Sequence, residues 1–205
     1  MVSSNPTIVT TRRVAEELKA LVKSNSTRLF VVPNFPMKGE VKTKNPIFHS
    51  ILSSAYAGGD ILGNSTQPHR NMDGLIDMFN NNNIGSLTLI GVKGESSKKV
   101  KCLGFLPRDS MYNEMFKHSI GLMPNRRHWL HRYRDANKPY EYAHAGLLVM
   151  CVSSFESVIS NFKGNCCTFE DYEEMKQKLL YFKDNLEELY NRRLRTLDFA
   201  RNELI

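Results

Sequence analysis

Nowhere does this 205-residue sequence carry an apolar run near the roughly 20 residues that cross a bilayer. Its first residues, Met-Val-Ser-Ser-Asn-Pro, hold no apolar signal core, so no secretory leader is expected there. Cysteine is scarce: Cys102, Cys151, Cys166 and Cys167 are the full set. All four fall in predicted strands and two are adjacent, which suits neither a disulfide framework nor a zinc site. Small buried thiols in a reducing cytoplasm are expected instead, and the Asn-x-Thr sequons at Asn25 and Asn64 mean little in such a chain. There is no Gly-x-Ser-x-Gly elbow, no Walker phosphate loop, no His-Glu-x-x-His helix and no Asp-x-Asp pair for a divalent metal. Neither a metal nor a bound cofactor is expected.

The composition is that of a folded chain: 41% hydrophobic and 24% charged. Its length suits one large domain, or one domain and a fragment of another. Twenty-eight Lys and Arg against 21 Asp and Glu leave a formal charge of +7. Such a charge favours an anionic partner, whether a nucleotide diphosphate, nucleic acid or the surface of an acidic membrane, and does not choose among them.

Hydrophobic periodicity predicts a short strand over 8–10, a helix over 12–23 and a strand over 28–32, stopped by Pro33 and Asn34. Residues 35–45, with one proline, one glycine and three lysines, read as a loop, and a domain boundary is expected near them. Beyond it strands are predicted within 47–57 and over 87–90, 100–103, 119–123, 147–152 and 165–169. Helices are predicted over 71–80, 109–117 (capped by Asp109), 137–145 (capped by Asn137) and 155–160. From residue 170 a helix is expected in two segments that break near Asp184 and Asn185. Strands alternating with helices predict an α/β fold with a doubly wound parallel sheet. Such sheets bind ligands beyond the carboxyl ends of their strands.

Four features fall at that edge. Gly58 and Gly59 follow a strand, where they serve either as a turn or as an approach for a phosphate. Arg70 stands before a helix start, as a diphosphate clamp or a solvated side chain. The run 125–134 carries four arginines, including Arg132 and Arg134, with two histidines, Tyr133 and the only tryptophan, and no acid before Asp135. It reads as a basic-aromatic grip for phosphates and bases or sugars, or as a solvated loop with Trp129 folded onto the core. Lys138 and Glu141, three apart, share one face of a short helix, either as a surface ion pair or as a nucleotide grip in which the carboxylate accepts ribose hydroxyls.

The order of these features resembles the C-terminal donor-binding domain of group 1, GT-B-fold glycosyltransferases, over residues 31–200. Val31-Val32-Pro33-Asn34 resembles that family's exit from the last strand before the donor domain. Arg70-Asn71-Met72-Asp73-Gly74-Leu75-Ile76 resembles its helix start, and Leu103-Gly104-Phe105-Leu106 its turn beside the base. Lys138-Pro-Tyr-Glu141-Tyr-Ala-His-Ala-Gly146-Leu-Leu-Val149 resembles its lysine-to-valine signature. The resemblance implies a Rossmann-like domain over 35–205 that binds a UDP- or GDP-sugar, with residues 1–34 the end of an N-terminal domain. It implies Glu141 on the ribose, Arg70 on the diphosphate, Gly58 and Gly59 lining the phosphate loop, Phe105 and Leu106 beside the base, and Lys138 near the phosphates or sugar. It also implies transfer with retention and an acceptor-binding domain on a longer or partner chain. Three positions depart from the pattern. Tyr133 stands where a glutamate often touches the sugar, Gly59 where an arginine follows the glycine, and Leu148 where a proline precedes Val149. A degenerate domain serving as an interaction module is the alternative; nucleic-acid binding is not expected, and peripheral membrane contact is left open.

Overall fold

The computed structural model describes residues 6–22, 28–59 and 67–205. Lys23, both sequons and residues 60–66 of the loop before Arg70 lie outside the described residues.

The chain opens with a βαβ unit: β1 (Thr7–Val9), α1 (Arg12–Leu21) and β2 (Leu29–Val31), the strands pairing in parallel. The helix starts at Thr11, whose side-chain oxygen accepts the Val14 N–H at 3.2 Å and so satisfies a donor that the first turn leaves free. Ile8 and Phe30 face each other in register and stay 68% and 51% exposed, so this small sheet has one bare apolar face.

After the irregular stretch 32–52 come six parallel strands: β3 (Ser53–Ala57), β4 (Ser86–Ile90), β5 (Val100–Cys102), β6 (Ile120–Met123), β7 (Leu148–Val152) and β8 (Cys167–Phe169). Their order is β5-β4-β3-β6-β7-β8. Counted from β3 this is the doubly wound order 3-2-1-4-5-6, which reverses between β3 and β6. Every residue of β6 and β7 is buried, as the unbroken apolar sequence of the strand at 147–152 requires. The flanking helices are α2 (Leu75–Asn81), α3 (Arg108–Met115), α4 (Lys138–His144), α5 (Glu156–Phe162), α6 (Tyr172–Asp184) and α7 (Leu186–Glu203), so the expected break falls at Asn185. No helix among the described residues is long and apolar enough to cross a membrane.

Three local expectations need correction. Helix α2 starts at Leu75, not Asn71, because residues 68–70 form a 3-10 turn, the Asn71 side chain accepts the Asp73 N–H at 2.7 Å, and Gly74 sits at φ +83°. Asp109 does not cap α3: Pro107 holds the N-cap position without a side-chain hydrogen bond, and Asp109 lies inside the first turn. Asn137 precedes α4 but does not cap it with its side chain, which accepts a hydrogen bond from Asn34 instead.

Two contacts set the geometry of the site. Helix α4 lies so close to β6 that a Cβ on Gly121 would come within 2.3 Å of the Tyr142 ring, and the Ala57 N–H at the end of β3 donates to the Tyr142 hydroxyl at 2.8 Å. At the opposite edge the fully buried Arg193 of α7 donates to the carbonyls of Gly146, Ile47 and His118 at 2.9, 2.9 and 3.1 Å. Those carbonyls lie on the segments that lead into β7, β3 and β6. Burial lowers the guanidinium pKa to about 10, which leaves it charged at neutral pH. Arg193→Leu strands three carbonyls, two of them buried, and a loss of roughly 3 kcal/mol is expected from urea unfolding. A change below about 1 kcal/mol would show that water replaces the guanidinium freely.

Candidate functional site

Strands β3 and β6 are neighbours, but the chain leaves them in opposite directions, and a cleft enclosing about 410 Å³ opens beyond their carboxyl ends. Its floor is Tyr56 and Met123, and Gly59 and Asn125 form its near rim. Three cations enter it from three different elements: Arg70 ends the 3-10 turn, Arg134 follows a second 3-10 segment (Trp129–Tyr133), and Lys138 begins α4.

Arg70 and Arg134 are exposed, and their guanidiniums take part in no ion pair or hydrogen bond among the described residues. Lys138 reaches across the end of β3, its ammonium 5.8 Å from the centre of the Tyr56 ring. Gly58 makes that path possible, since a Cβ there would lie 2.3 Å from the Lys138 Cε. Burial lowers the Lys138 pKa, Arg70 and Arg134 push it the same way, and Glu141 opposes them. The cleft therefore carries positive charge that its own walls do not neutralise.

The other predicted residues are placed as follows. Gly58 spends its N–H on the Ile90 carbonyl at 2.8 Å, leaving Gly59 as the glycine on the rim, with no described atom within 4 Å of a Cβ built there. Glu141 shares a helix face with Lys138 but is not in the lining: its carboxylate, 15% exposed, lies 3.4 Å from the Arg108 guanidinium. Burial raises its pKa, and Arg108 and then Lys138 offset that rise. Phe105, 83% exposed, and the half-buried Leu106 lie past β5 on the same edge of the sheet, outside the cleft. Arg132 donates to the Trp129 carbonyl at 3.1 Å and lines a second cleft, and Tyr133 donates to Glu17 of α1 at 3.3 Å. Of the remaining loop arginines, Arg126 stacks on Tyr172 at 3.9 Å and donates to the Asp73 carbonyl, and Arg127 pairs with Glu170.

Two residues that sequence reasoning passed over hold the rim in place. His131 is buried and stacked on Phe155, ring centres 4.2 Å apart. Its Nε2 lies 2.7 Å from the His69 carbonyl, which can only accept, so Nε2 carries the proton and Nδ1 accepts from the Ser154 hydroxyl at 2.8 Å. Asp135 accepts the Asn34 N–H at 2.6 Å, the Tyr140 hydroxyl and the Ser157 hydroxyl, tying the exit of β2 to the segment between Arg134 and Lys138. Its position as the first acid after the arginine run was the available signal; His131 had none.

The doubly wound sheet and its flanking helices have the fold of one half of a GT-B glycosyltransferase, and the solved structures that share this fold are enzymes of that class. TarM superposes with a TM-score of 0.67 at 15% identity, over 97% of this chain and 40% of its own. Sucrose-phosphate synthase from Thermosynechococcus elongatus gives 0.67 at 11% identity, over 98% and 55%. Anabaena HepE in complex with UDP gives 0.68 at 9% identity, over 96% and 59%. The chain thus spans between 40% and 59% of the length of these proteins. No family model matches it, and no curated protein matches it in sequence.

His131 and the buried His118 both have pKa values lowered to about 4, chiefly by burial, from an ordinary value of 6.5. The folded chain holds both neutral, while the unfolded chain takes up protons near pH 6.5, so both favour folding above that value. Stability is expected to fall steadily as pH drops from 6.5 towards 4. Urea midpoints measured from pH 7.5 to 4.5 check this; a midpoint constant across that window would contradict the buried, neutral placement.

Proposed function

We propose that this chain is the donor-binding half of a sugar-nucleotide glycosyltransferase, and that its cleft holds the diphosphate of a UDP- or GDP-sugar. One observation carries the reading: Arg70, Arg134 and Lys138 converge at the β3/β6 switch point, and none is in an ion pair among the described residues. A diphosphate there gains charge-assisted, partly bidentate hydrogen bonds from the two guanidiniums and relieves the repulsion from Arg70 and Arg134 that adds to burial in lowering the Lys138 pKa. The same three cations stabilise the charge that develops on the leaving diphosphate, the role a divalent metal plays elsewhere. In the transfer the acceptor oxygen bonds to the anomeric carbon as the bond to the diphosphate oxygen breaks, and the acceptor proton passes to the departing phosphate. Retention at that carbon is part of the proposal.

Glu141 is assigned to the ribose hydroxyls, and Arg108 at 3.4 Å is the partner it shares with them. Residues 1–34 are assigned to the end of an acceptor-binding domain carried on a longer or a partner chain. The bare Ile8–Phe30 face supports this, since a two-stranded sheet needs further cover to be stable. A second reading, a degenerate domain acting as an interaction module, draws on Tyr133: it stands where relatives often place a sugar-contacting glutamate, and its hydroxyl is turned to Glu17. Turnover after addition of the missing half separates the two readings.

Calorimetric titration with UDP, GDP and UDP-glucose is expected to show saturable binding that weakens with salt. Arg70→Ala with Arg134→Ala is expected to weaken it at least about tenfold. Gly59→Arg places a further cation on the rim, where a Cβ meets no described atom within 4 Å, and is expected to tighten it. Absence of heat from every nucleotide, or affinity unchanged in the double variant, would refute the reading.

A further inference from the structure

A second cleft of about 320 Å³ lies between the opening βαβ unit and α5. One wall is the carboxyl edge of the small sheet, with Thr10, Arg12 and Glu16; the other is Arg132, Glu156 and Ser160. Its charge differs from that of the cationic cleft. Arg13 is drawn off by Glu17 at 3.3 Å, which leaves Arg12 and Arg132 opposite Glu16 and Glu156, two charges of each sign. None of those four is in an ion pair among the described residues. Val31 and Pro33 are the apolar side chains of the lining, too few to receive a lipid chain or an apolar alcohol. A balanced set of planar donors and planar acceptors, with hydroxyls between them, gives an anion no net attraction. It matches groups that donate and accept at once, which is the property of a sugar hydroxyl. The volume suits one or two sugar rings.

The two clefts adjoin. Arg132 lines one and Arg134 the other, and Ser157 of the second donates to Asp135 of the first. A group carried beyond a diphosphate in the cationic cleft therefore lies near the balanced one. We propose that the second cleft is a carbohydrate subsite, and that the acceptor of this protein is a neutral, polyhydroxylated sugar rather than a phosphorylated compound or an apolar alcohol. The role as acceptor subsite rests on the donor reading above; the binding of a neutral saccharide does not.

Amide NMR titration of the full chain with maltose, lactose and chitobiose tests it, with inorganic phosphate and hexanol as controls. The neutral saccharides are expected to shift amides around Thr10, Arg132 and Ser160 at tens of millimolar, and the controls are not. Glu16→Ala with Glu156→Ala is expected to abolish those shifts while UDP still binds. Arg70→Ala with Arg134→Ala is expected to weaken UDP and leave the saccharide shifts in place. Saccharide shifts without any nucleotide binding would sink the donor reading and keep the carbohydrate site. Silence from all three saccharides, shifts from phosphate at these amides, or saccharide shifts that persist in the Glu16/Glu156 variant would overturn the proposal.

Discussion

Three like charges held together at one point of a sheet make the fold's defining constraint. Lys138 lies partly buried beside Arg70 and Arg134, and burial and those two charges lower its pKa. The rest of the domain keeps the three from separating. Gly58 clears the path of the lysine, Tyr142 pins α4 to β6 and to the end of β3, and Asp135 with Asn34 fixes the segment between Arg134 and Lys138. A site preorganised in this way meets an anion with little further rearrangement.

The two edges of the central sheet do opposite things. At the amino edge Arg193 spends its donors on the carbonyls leading into the three central strands, and its charge is sealed among dipoles. At the carboxyl edge the three cations line the cleft. One buried arginine makes a rigid base, and three cations without an ion pair among the described residues make the rim. The chemistry differs because the first is saturated by backbone and the others are left for a ligand.

Much of the fold was legible because its signals are local. Continuous apolar runs gave the buried strands, and Asn185 marked the break between α6 and α7. The start of α2 and the cap of α3 were missed because a 3-10 turn and a proline took over from side-chain caps. The site was legible in part for a geometric reason. Within the run 125–134, a 3-10 segment puts residues three apart on one side. His131 and Arg134 thus face the cationic cleft, while Trp129 and Arg132 face away, a division that composition alone does not carry. Helical spacing put Lys138 and Glu141 on one face but could not foresee that Arg108, thirty-three positions earlier, would hold the carboxylate outside the cleft. The contacts of His131 with Phe155 and of Asp135 with Asn34 are long-range and left no periodic trace.

The account stands on phosphate recognition by the cationic cleft, and comparing the melting temperature of the chain in equal concentrations of uridine, UMP and UDP tests it most directly. Base and ribose are constant in that series and only the phosphates change. The account predicts the greatest stabilisation by UDP, less by UMP and least by uridine, with the spread shrinking as salt is added. Equal shifts from all three nucleosides, or no shift from UDP, would contradict it.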